Sequence, residues 1–465
     1  MPKKTISNNK KAMNSIKKTK ITKKNSRATI KEIKFPKFIL PKIIIPKIYY
    51  SRFCNNREKD IDISEMKFKF CKNVINLPKL NKNIKFHEKY IKKNEKSEKM
   101  LGDDRQKIVS RMTYDNFTSN KKIGYIPKKF YNIDINYGWT NAWRKMYEII
   151  ETCNLIDRNR NDKYNHFDIC GFPGAFVFAT NHYIKTKTKI RNYDWYIQSY
   201  NEKKTDEELT YLEDKFELQK KNPDRFLYGS AKSGFNGDIT NVDNIREYIK
   251  MFKRQGLDLV TSDCGLQIVY EDSCSREKQM LKIHFGQFVC GIAILKKGGS
   301  FVMKNYSQMK PYSVSMIYLM TKLFREVILL KPESSRSYGN EIYLVCKDYY
   351  KNLNENQITD LINMVDEMDN SKHIDYMLID NKLINKDEIK KIENILDRYY
   401  CRLEKIKIIT RSIIDNEILK LKDDKDLLKK KIVHMNKSTE SMIRYYFINY
   451  FKRMKYKRIE NNDKL

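Results

Sequence analysis

A chain of 465 residues is longer than one hydrophobic core usually spans, and 40% hydrophobic residues suffice for a globular core within it. Its formal net charge of +35 implies an anionic partner, nucleic acid before a membrane surface. Nine scattered cysteines without a CxxC pair argue against a disulfide framework and a structural zinc site, and fit a reducing compartment.

The charge is uneven. Residues 1–100 carry 29 Lys and Arg against 8 Asp and Glu, whereas residues 351–465 carry 25 against 20. Met1–Lys24 is basic without an apolar core, so it does not read as a signal peptide. Residues 1–30 cannot bury enough surface to fold alone and read as a disordered basic arm. A short repeat follows, PKFIL, PKIII and PKIYY, led by Pro36, Pro41 and Pro46. Proline lacks an amide donor, so this is an extended or edge segment, either a strap docked on the main domain or a partner-binding segment. Lys37, Lys42 and Lys47 interrupt it and keep it from spanning a bilayer. Residues 1–100 are therefore assigned as a basic, partly disordered and extended N-terminal region.

Residues 101–350 change character. Strand-length apolar runs occur at His166–Cys170, Leu257–Ser262, Ser300–Lys304 and Glu341–Lys347, with helix-like stretches at Lys278–Lys297 and Ser313–Leu330. That alternation predicts an α/β domain with a largely parallel sheet. Residues 351–465 lack glycine and predict a helical appendage, with amphipathic stretches at Ile358–Met368, Asp387–Tyr400 and Ile406–Leu421. Its end, Arg444–Arg458, interleaves Tyr445, Tyr446, Phe447, Tyr450, Phe451 and Tyr456 with Arg and Lys. Such a segment either stacks on RNA bases or is a helix with its aromatics packed inward.

Four motifs in the α/β region carry chemistry. FDICGFPGAF, Phe167–Phe176, runs a strand into a Gly/Pro turn and a helix start, where free amides can meet a ligand. It is not a GxGxxG, which disfavours a nicotinamide cofactor. GLDLVTSDCG ends a buried strand in Asp263, KKGGSFVMKNY ends one in Lys304, and KPESSRSYGNEIYLVCKDY starts one at Glu341. Each has a bland reading alone; their order along one α/β domain gives them weight.

With these motifs, residues 130–350 resemble the FtsJ-like ribose 2′-O-methyltransferase family, including members from large DNA viruses of eukaryotes. The resemblance implies a Rossmann-like fold with helices on both faces of the sheet. It implies S-adenosylmethionine at the first strand's turn, where Cys170, Gly171, Phe172, Pro173, Gly174, Ala175 and Phe176 are similar to the family's first motif. The family signature is a Lys–Asp–Lys–Glu tetrad. Asp263, which also counts among the cofactor contacts, Lys304 and Glu341 fall on its last three members, and Ser334-Ser335-Arg336 also looks like the family. The first lysine fits best at Lys145, in a helix predicted over Ala142–Ile150, with Arg144 adjacent. Asp238, in GDITN, is implied to hold the adenine amino group, and Asp194 is the nearest candidate for the cofactor ribose. Tyr183–Tyr228 looks like an insertion that blurs the second strand.

The function so implied is methyl transfer to an RNA ribose 2′-hydroxyl, first on the cap-proximal nucleotide of mRNA, with ribosomal or transfer RNA as the alternative. A degenerate fold serving as an RNA-binding or virion scaffold is the non-enzyme reading. The expected partners are RNA and other capping or transcription proteins, with no membrane and no metal, in the cytoplasm or, for a viral protein, the viral factory or virion. The lack of a D/N-P-P-Y/F motif argues against methylation of base amino groups. A sulfonium donor needs no acid at its leaving group, so the task is to align the hydroxyl and remove its proton. Alignment contributes about 7–11 kcal/mol in favourable cases, and a general base roughly 10²–10⁴-fold. Lys304 is the expected activator. Lys145 would lower its pKa by repulsion and Asp263 would oppose this, which leaves neutral base and charged stabiliser both open.

Overall fold

Along the central strands, neighbouring residues bury on opposite faces, and this alternation sets the architecture. The computed structural model describes residues 47–55, 66–72, 75–101, 138–200, 213–266, 274–350, 353–421 and 423–465. Ten strands are found among them: β1 (Tyr49–Asn55), β2 (Phe68–Lys72), β3 (Tyr164–Ile169), β4 (Tyr193–Gln198), β5 (Phe226–Leu227), β6 (Leu257–Ser262), β7 (Leu295–Asn305), β8 (Phe324–Lys331), β9 (Ile342–Tyr349) and β10 (Tyr376–Ile379). Eight form one sheet in the order β1-β8-β9-β7-β6-β3-β4-β5, and β2 pairs with β10. Pairing is parallel from β5 through β4, β3 and β6 to β7. By contrast β9 is antiparallel to both its neighbours, and β1 to β8. The largely parallel α/β sheet expected from the sequence is present.

The principal helices are α1 (Pro78–Leu101), α2 (Asn141–Cys153), α3 (Ala175–Lys187), α4 (Val242–Phe252), α5 (Leu281–Ile294), α6 (Pro311–Leu323), α7 (Glu355–Glu367), α8 (Lys386–Ile413) and α9 (Lys425–Met454). Phe301 and Met303 of β7 enter the core shared with α4 to α8, whereas Val302 joins Tyr343 and Val345 in a second core with α2 and α3. Thr140 starts α2 by accepting a hydrogen bond from the Trp143 amide on its side chain.

The sequence reading and the structure differ at several elements. Ser313–Leu330 is not one helix: α6 ends at Leu323, and Phe324 turns into β8 with φ −122° and ψ 144°. A continuous apolar run has no period to separate helix from buried strand. Similarly, Lys278–Lys297 divides into α5 and the start of β7. The N-terminal region supplies β1, β2 and α1, and the C-terminal region supplies β10. Short strands of this kind carry little pattern. Residues 1–30 and Pro36, Pro41 and Pro46 lie outside the described residues, but the third repeat ends in β1, docked on β8 as a strap would be. No helix among the described residues is long and apolar enough to cross a membrane.

The aromatic–basic segment resolves toward inward packing. Tyr450, Phe451 and Tyr456 are buried, with Tyr456 4.5 Å from Tyr147 and Phe451 6.1 Å from Trp139 between ring centroids. Tyr445 is exposed, and the side chains of Arg444 and Phe447 lie outside the described ones. Phe451→Ala should therefore cost roughly 3–5 kcal/mol of stability, the range for emptying a buried aromatic site. Urea unfolding of the full chain measures it; a loss below about 1 kcal/mol would show that this helix end does not support the core.

Candidate active site

In an open α/β sheet, ligands gather where strand order reverses, outside the carboxyl ends of the strands. Here the chain goes from β3 outward to β4 on one side and later to β6 on the other. Ile169 and Ser262 end β3 and β6 side by side, so the turn Cys170–Gly174 meets Asp263. The turn is tightly folded. A Cβ on Gly171 would stand 2.4 Å from Asp168 Oδ2, and Gly174 takes a left-handed φ of 104° as α3 begins. Its amides are held from β4: Cys170 N–H donates to Gln198 Oε1 at 3.1 Å and Phe172 N–H to Ser199 Oγ at 3.0 Å. The first amides of α3 precede its hydrogen-bonding ladder and are available to an anionic group.

Asp238 lies on the same edge, because Gln198 also donates to the Gly237 carbonyl. Its Oδ1 accepts from the Thr240 amide at 2.8 Å and the Thr240 hydroxyl at 2.9 Å, which fixes the carboxylate. A glycine turn with open helix amides, and a fixed carboxylate to accept from an amino group, fit a zwitterionic nucleoside cofactor. Asp194 does not join them. It sits near the amino end of β4, opposite Asn165, and pairs with Lys163 at 3.0 Å and Arg225 at 2.6 Å. The carboxyl end of β4 carries Gln198 and Ser199 instead, so the acid sought for the cofactor ribose is not on that strand.

The four polar residues singled out from the sequence come together as two ion pairs. Lys145 of α2 approaches Glu341 at 2.7 Å, and Lys304, in β7, approaches Asp263 at 3.1 Å. The Lys304 ammonium also donates to the Asp263 carbonyl at 2.6 Å. Lys304 is opposite Tyr343 in the β7–β9 ladder, with Glu341 two residues earlier on the same face. Arg144 is no rival for Lys145: it donates to Asn141 and lies 5.9 Å from the Trp139 ring.

Electrostatics here are set by burial and by these pairs. Burial pushes the Lys304 ammonium down, but Asp263, Tyr306 and Glu341 outweigh it and hold its pKa above the ordinary lysine value. The lowering expected from Lys145 is not found, since that cation sits on Glu341. Burial pushes the Glu341 carboxyl up, yet Lys145, Lys304 and Lys331 bring it to about 2.

Several residues of the site were not singled out from the sequence. Tyr343 donates its hydroxyl to Asp263 Oδ1 at 3.2 Å, and Lys304 lies 5.5 Å from the Tyr306 ring centroid. Glu148, one helical turn after Lys145, accepts from the Glu333 and Ser334 amides at 2.6 and 2.9 Å. Ser335, from the Ser334-Ser335-Arg336 run already noted in the sequence, donates to Glu341 Oε1 at 3.0 Å. For the others, only the alternation 341–343 and the i,i+3 spacing 145–148 gave any signal. Cysteine spacing gave no sign of the disulfide between Cys170 and Cys264, whose Cα atoms are 5.1 Å apart. Ninety-four residues separate the two, and only the adjacency of β3 and β6 brings them together.

Residues 139–349 match the FtsJ-like methyltransferase family model, and the chain carries an FtsJ-like methyltransferase domain. An uncharacterized protein of Acanthamoeba polyphaga mimivirus is 35% identical over 244 residues, covering 52% of this chain and 29% of that protein. A probable methyltransferase of African swine fever virus is 31% identical over 252 residues, covering 52% of this chain and 57% of that protein. The cap-specific mRNA (nucleoside-2′-O-)-methyltransferase 2 of Danio rerio is 29% identical over 215 residues, covering 45% of this chain and 28% of that protein. The chain thus spans under two thirds of the length of each of these relatives.

Glu341 titrates in the unfolded chain near the ordinary carboxylate value, about 4.3, and in the folded one at about 2. A depressed carboxylate stabilises the fold above its unfolded pKa and loses that contribution as pH falls through its folded pKa. Wild type should therefore lose more stability than Glu341→Gln between roughly pH 5 and pH 2. Parallel urea titrations read the difference, and equal pH slopes would remove the ion-paired Glu341 from the account.

Proposed function

We propose that the chain is an S-adenosylmethionine-dependent RNA ribose 2′-O-methyltransferase, acting on the cap-proximal nucleotide of mRNA. The observation that supports this most is the paired cluster of Lys145, Asp263, Lys304 and Glu341 beside the Gly171–Gly174 turn. The printed names of a cap-specific relative and a viral methyltransferase support the same direction. Ribosomal or transfer RNA remains the second substrate reading.

The residues Cys170–Phe176 would hold the amino-acid end of the cofactor and Asp238 its adenine amino group, with Asp263 at the edge between cofactor and hydroxyl. When bound, the cofactor supplies an electrophilic methyl group on a sulfonium. The protein's part is to seat the hydroxyl in line with that methyl and to stabilise the charge that develops on oxygen. Lys304, held charged by Asp263, Tyr306 and Glu341, suits the second task as a donor to the forming alkoxide. Asp263 and Tyr343 fix its direction, and Glu341 fixes Lys145 as the second cation. The protein buries Lys304 and Tyr343 and leaves Lys145, Asp263 and Glu341 partly open to a substrate.

Mass spectrometry of nucleosides, after the full chain has acted on capped and uncapped RNA with labelled S-adenosylmethionine, tests the proposal. A 2′-O-methylnucleoside is expected, more from capped RNA; label on bases alone, or on no RNA, would sink it. Lys304→Ala should reduce transfer by at least about 10²-fold while cofactor affinity by calorimetry stays within about threefold. Unchanged turnover would remove Lys304 from the chemistry. Asp238→Ala should weaken cofactor binding by about tenfold or more, the usual scale for a charge-assisted hydrogen bond, and an unaltered affinity would take Asp238 out of the site.

A further inference from the structure

β3 and β6 are neighbours in the sheet, yet the chain leaves their carboxyl ends toward opposite faces. After β3 it turns into α3, whose Phe176 and Val177 lie in one core; after β6 it leads to α5, whose Phe285 and Phe288 lie in the other. Parting of this kind opens the crevice in which an α/β sheet binds its ligand. The disulfide between Cys170 and Cys264 spans that opening. Cys170 follows the last residue of β3, and Cys264 stands two past the last residue of β6. Their Cα atoms are 5.1 Å apart, close to the spacing of about 4.8 Å between neighbouring strands. The bridge thus carries strand spacing into the place where the two walls part.

Its surroundings suit a reversible bond. Cys71, Cys153, Cys274, Cys290, Cys346 and Cys401 are free, so the described side chains hold one isolated disulfide and no framework. In such a chain an isolated bridge is more often transient than structural. Burial pushes the Cys153 thiol up to about 12 and raises that of Cys290 as well, which keeps both protonated and inert. Cys170 is only half-buried, and Gly265 and Leu266, next to Cys264, are exposed, so a small thiol or disulfide has a way in. Lys304 donates to the carbonyl that joins Asp263 to Cys264, and a cation so placed favours the reactive thiolate.

We infer that Cys170 and Cys264 form a redox site that gates the cofactor crevice: the bridge hinders the cofactor and the dithiol admits it. The inference rests on the S-adenosylmethionine reading above. The co-reactant is a small-molecule disulfide of the glutathione class. The Cys170 thiolate attacks one of its sulfurs, which releases one small thiolate and leaves a mixed disulfide. The Cys264 thiolate then attacks the Cys170 sulfur and releases the second. Two protein thiols are oxidised to a disulfide, one small disulfide is reduced to two thiols, and the two cysteine protons end on those thiols. Both ion pairs of the site are formed with the bridge closed, Lys304 to Asp263 at 3.1 Å and Lys145 to Glu341 at 2.7 Å. The gate therefore acts on cofactor affinity and not on the polar cluster.

The test uses the full chain, equilibrated without cofactor in reduced or in oxidised glutathione and then desalted. Alkylation followed by peptide mass spectrometry should find the 170–264 bridge in the oxidised sample and both cysteines alkylated in the reduced one. Calorimetry with S-adenosylmethionine should show binding at least about tenfold weaker to the oxidised chain. Linkage demands the converse: saturating S-adenosylmethionine should shift the dithiol–disulfide equilibrium in a glutathione titration toward the dithiol by the same factor. Cys264→Ser, which cannot form the bridge, should bind the cofactor equally after either treatment. Both wild-type forms share one sequence, so their comparison does not depend on how well the variant folds. Failure of the bridge to form, or tighter binding by the oxidised chain, overturns the gate, as does a Cys264→Ser chain that keeps the redox effect. Equal affinity in the two wild-type forms overturns the gate and keeps the cofactor reading, whereas binding in neither form overturns both.

Discussion

The ion pair between Lys145 and Glu341 joins α2, the helix just before β3, to the start of β9 almost 200 residues later. Its geometry depends on strand direction. In the parallel strands β6 and β7, Asp263 and Lys304 stand at or just beyond the carboxyl end. Because β9 runs antiparallel, its amino end reaches the same edge, and Glu341 just before it faces them. Lys145 comes down onto that edge from α2, which is anchored separately: Glu148, one turn later, accepts the Glu333 and Ser334 amides of the loop leading to Glu341. Without Glu341, Lys145 would be left as an unpaired charge at a partly buried position, a loss that typically costs several kcal/mol.

That dependence explains which parts of the site were legible in the sequence. Asp263, Lys304 and Glu341 adjoin strands whose apolar runs and flanking turns are distinct, so position in the sequence translates directly to position on the sheet edge. Gly171 and Gly174 were legible because the turn has no room for side chains. Asp194 misled because the second strand was blurred: a residue near the amino end of β4 was read as if it followed the strand. Tyr343 was passed over because a tyrosine in a buried strand looks like core, and its ring does pack in the α2–α3 core while its hydroxyl serves Asp263.

The flanks were the least legible part, for a physical reason. β1, β2 and β10 become strands through partners distant in sequence: Tyr49 pairs with Lys331, and Tyr376 with Lys72. Short edge strands of this kind have neither the length nor the alternation to declare themselves. Apolar periodicity did mark helices in 351–465, but it could not tell that α8 would close over the loop before Glu341. There Lys407 donates to Asn340 Oδ1 at 2.8 Å and lies 3.1 Å from His87 Nδ1, so two flanking helices, α8 and α1, meet next to Glu341.

This arrangement divides the positive charge into two kinds. More than half of the net charge is carried by residues 1–100, and between exposed charges the reach of that field is limited by salt to about 8–10 Å. The lysines around Glu341 are different. Burial brings both Lys331 and Lys407 down to about 7, with repulsion from neighbouring cations adding to the effect. Buried charges are screened little by salt, and low polarity strengthens their attraction to any anion that reaches them. A surface field attracts a polyanion without choosing its register, whereas a few desolvated cations beside the Lys145–Glu341 pair can favour one register of its backbone over another.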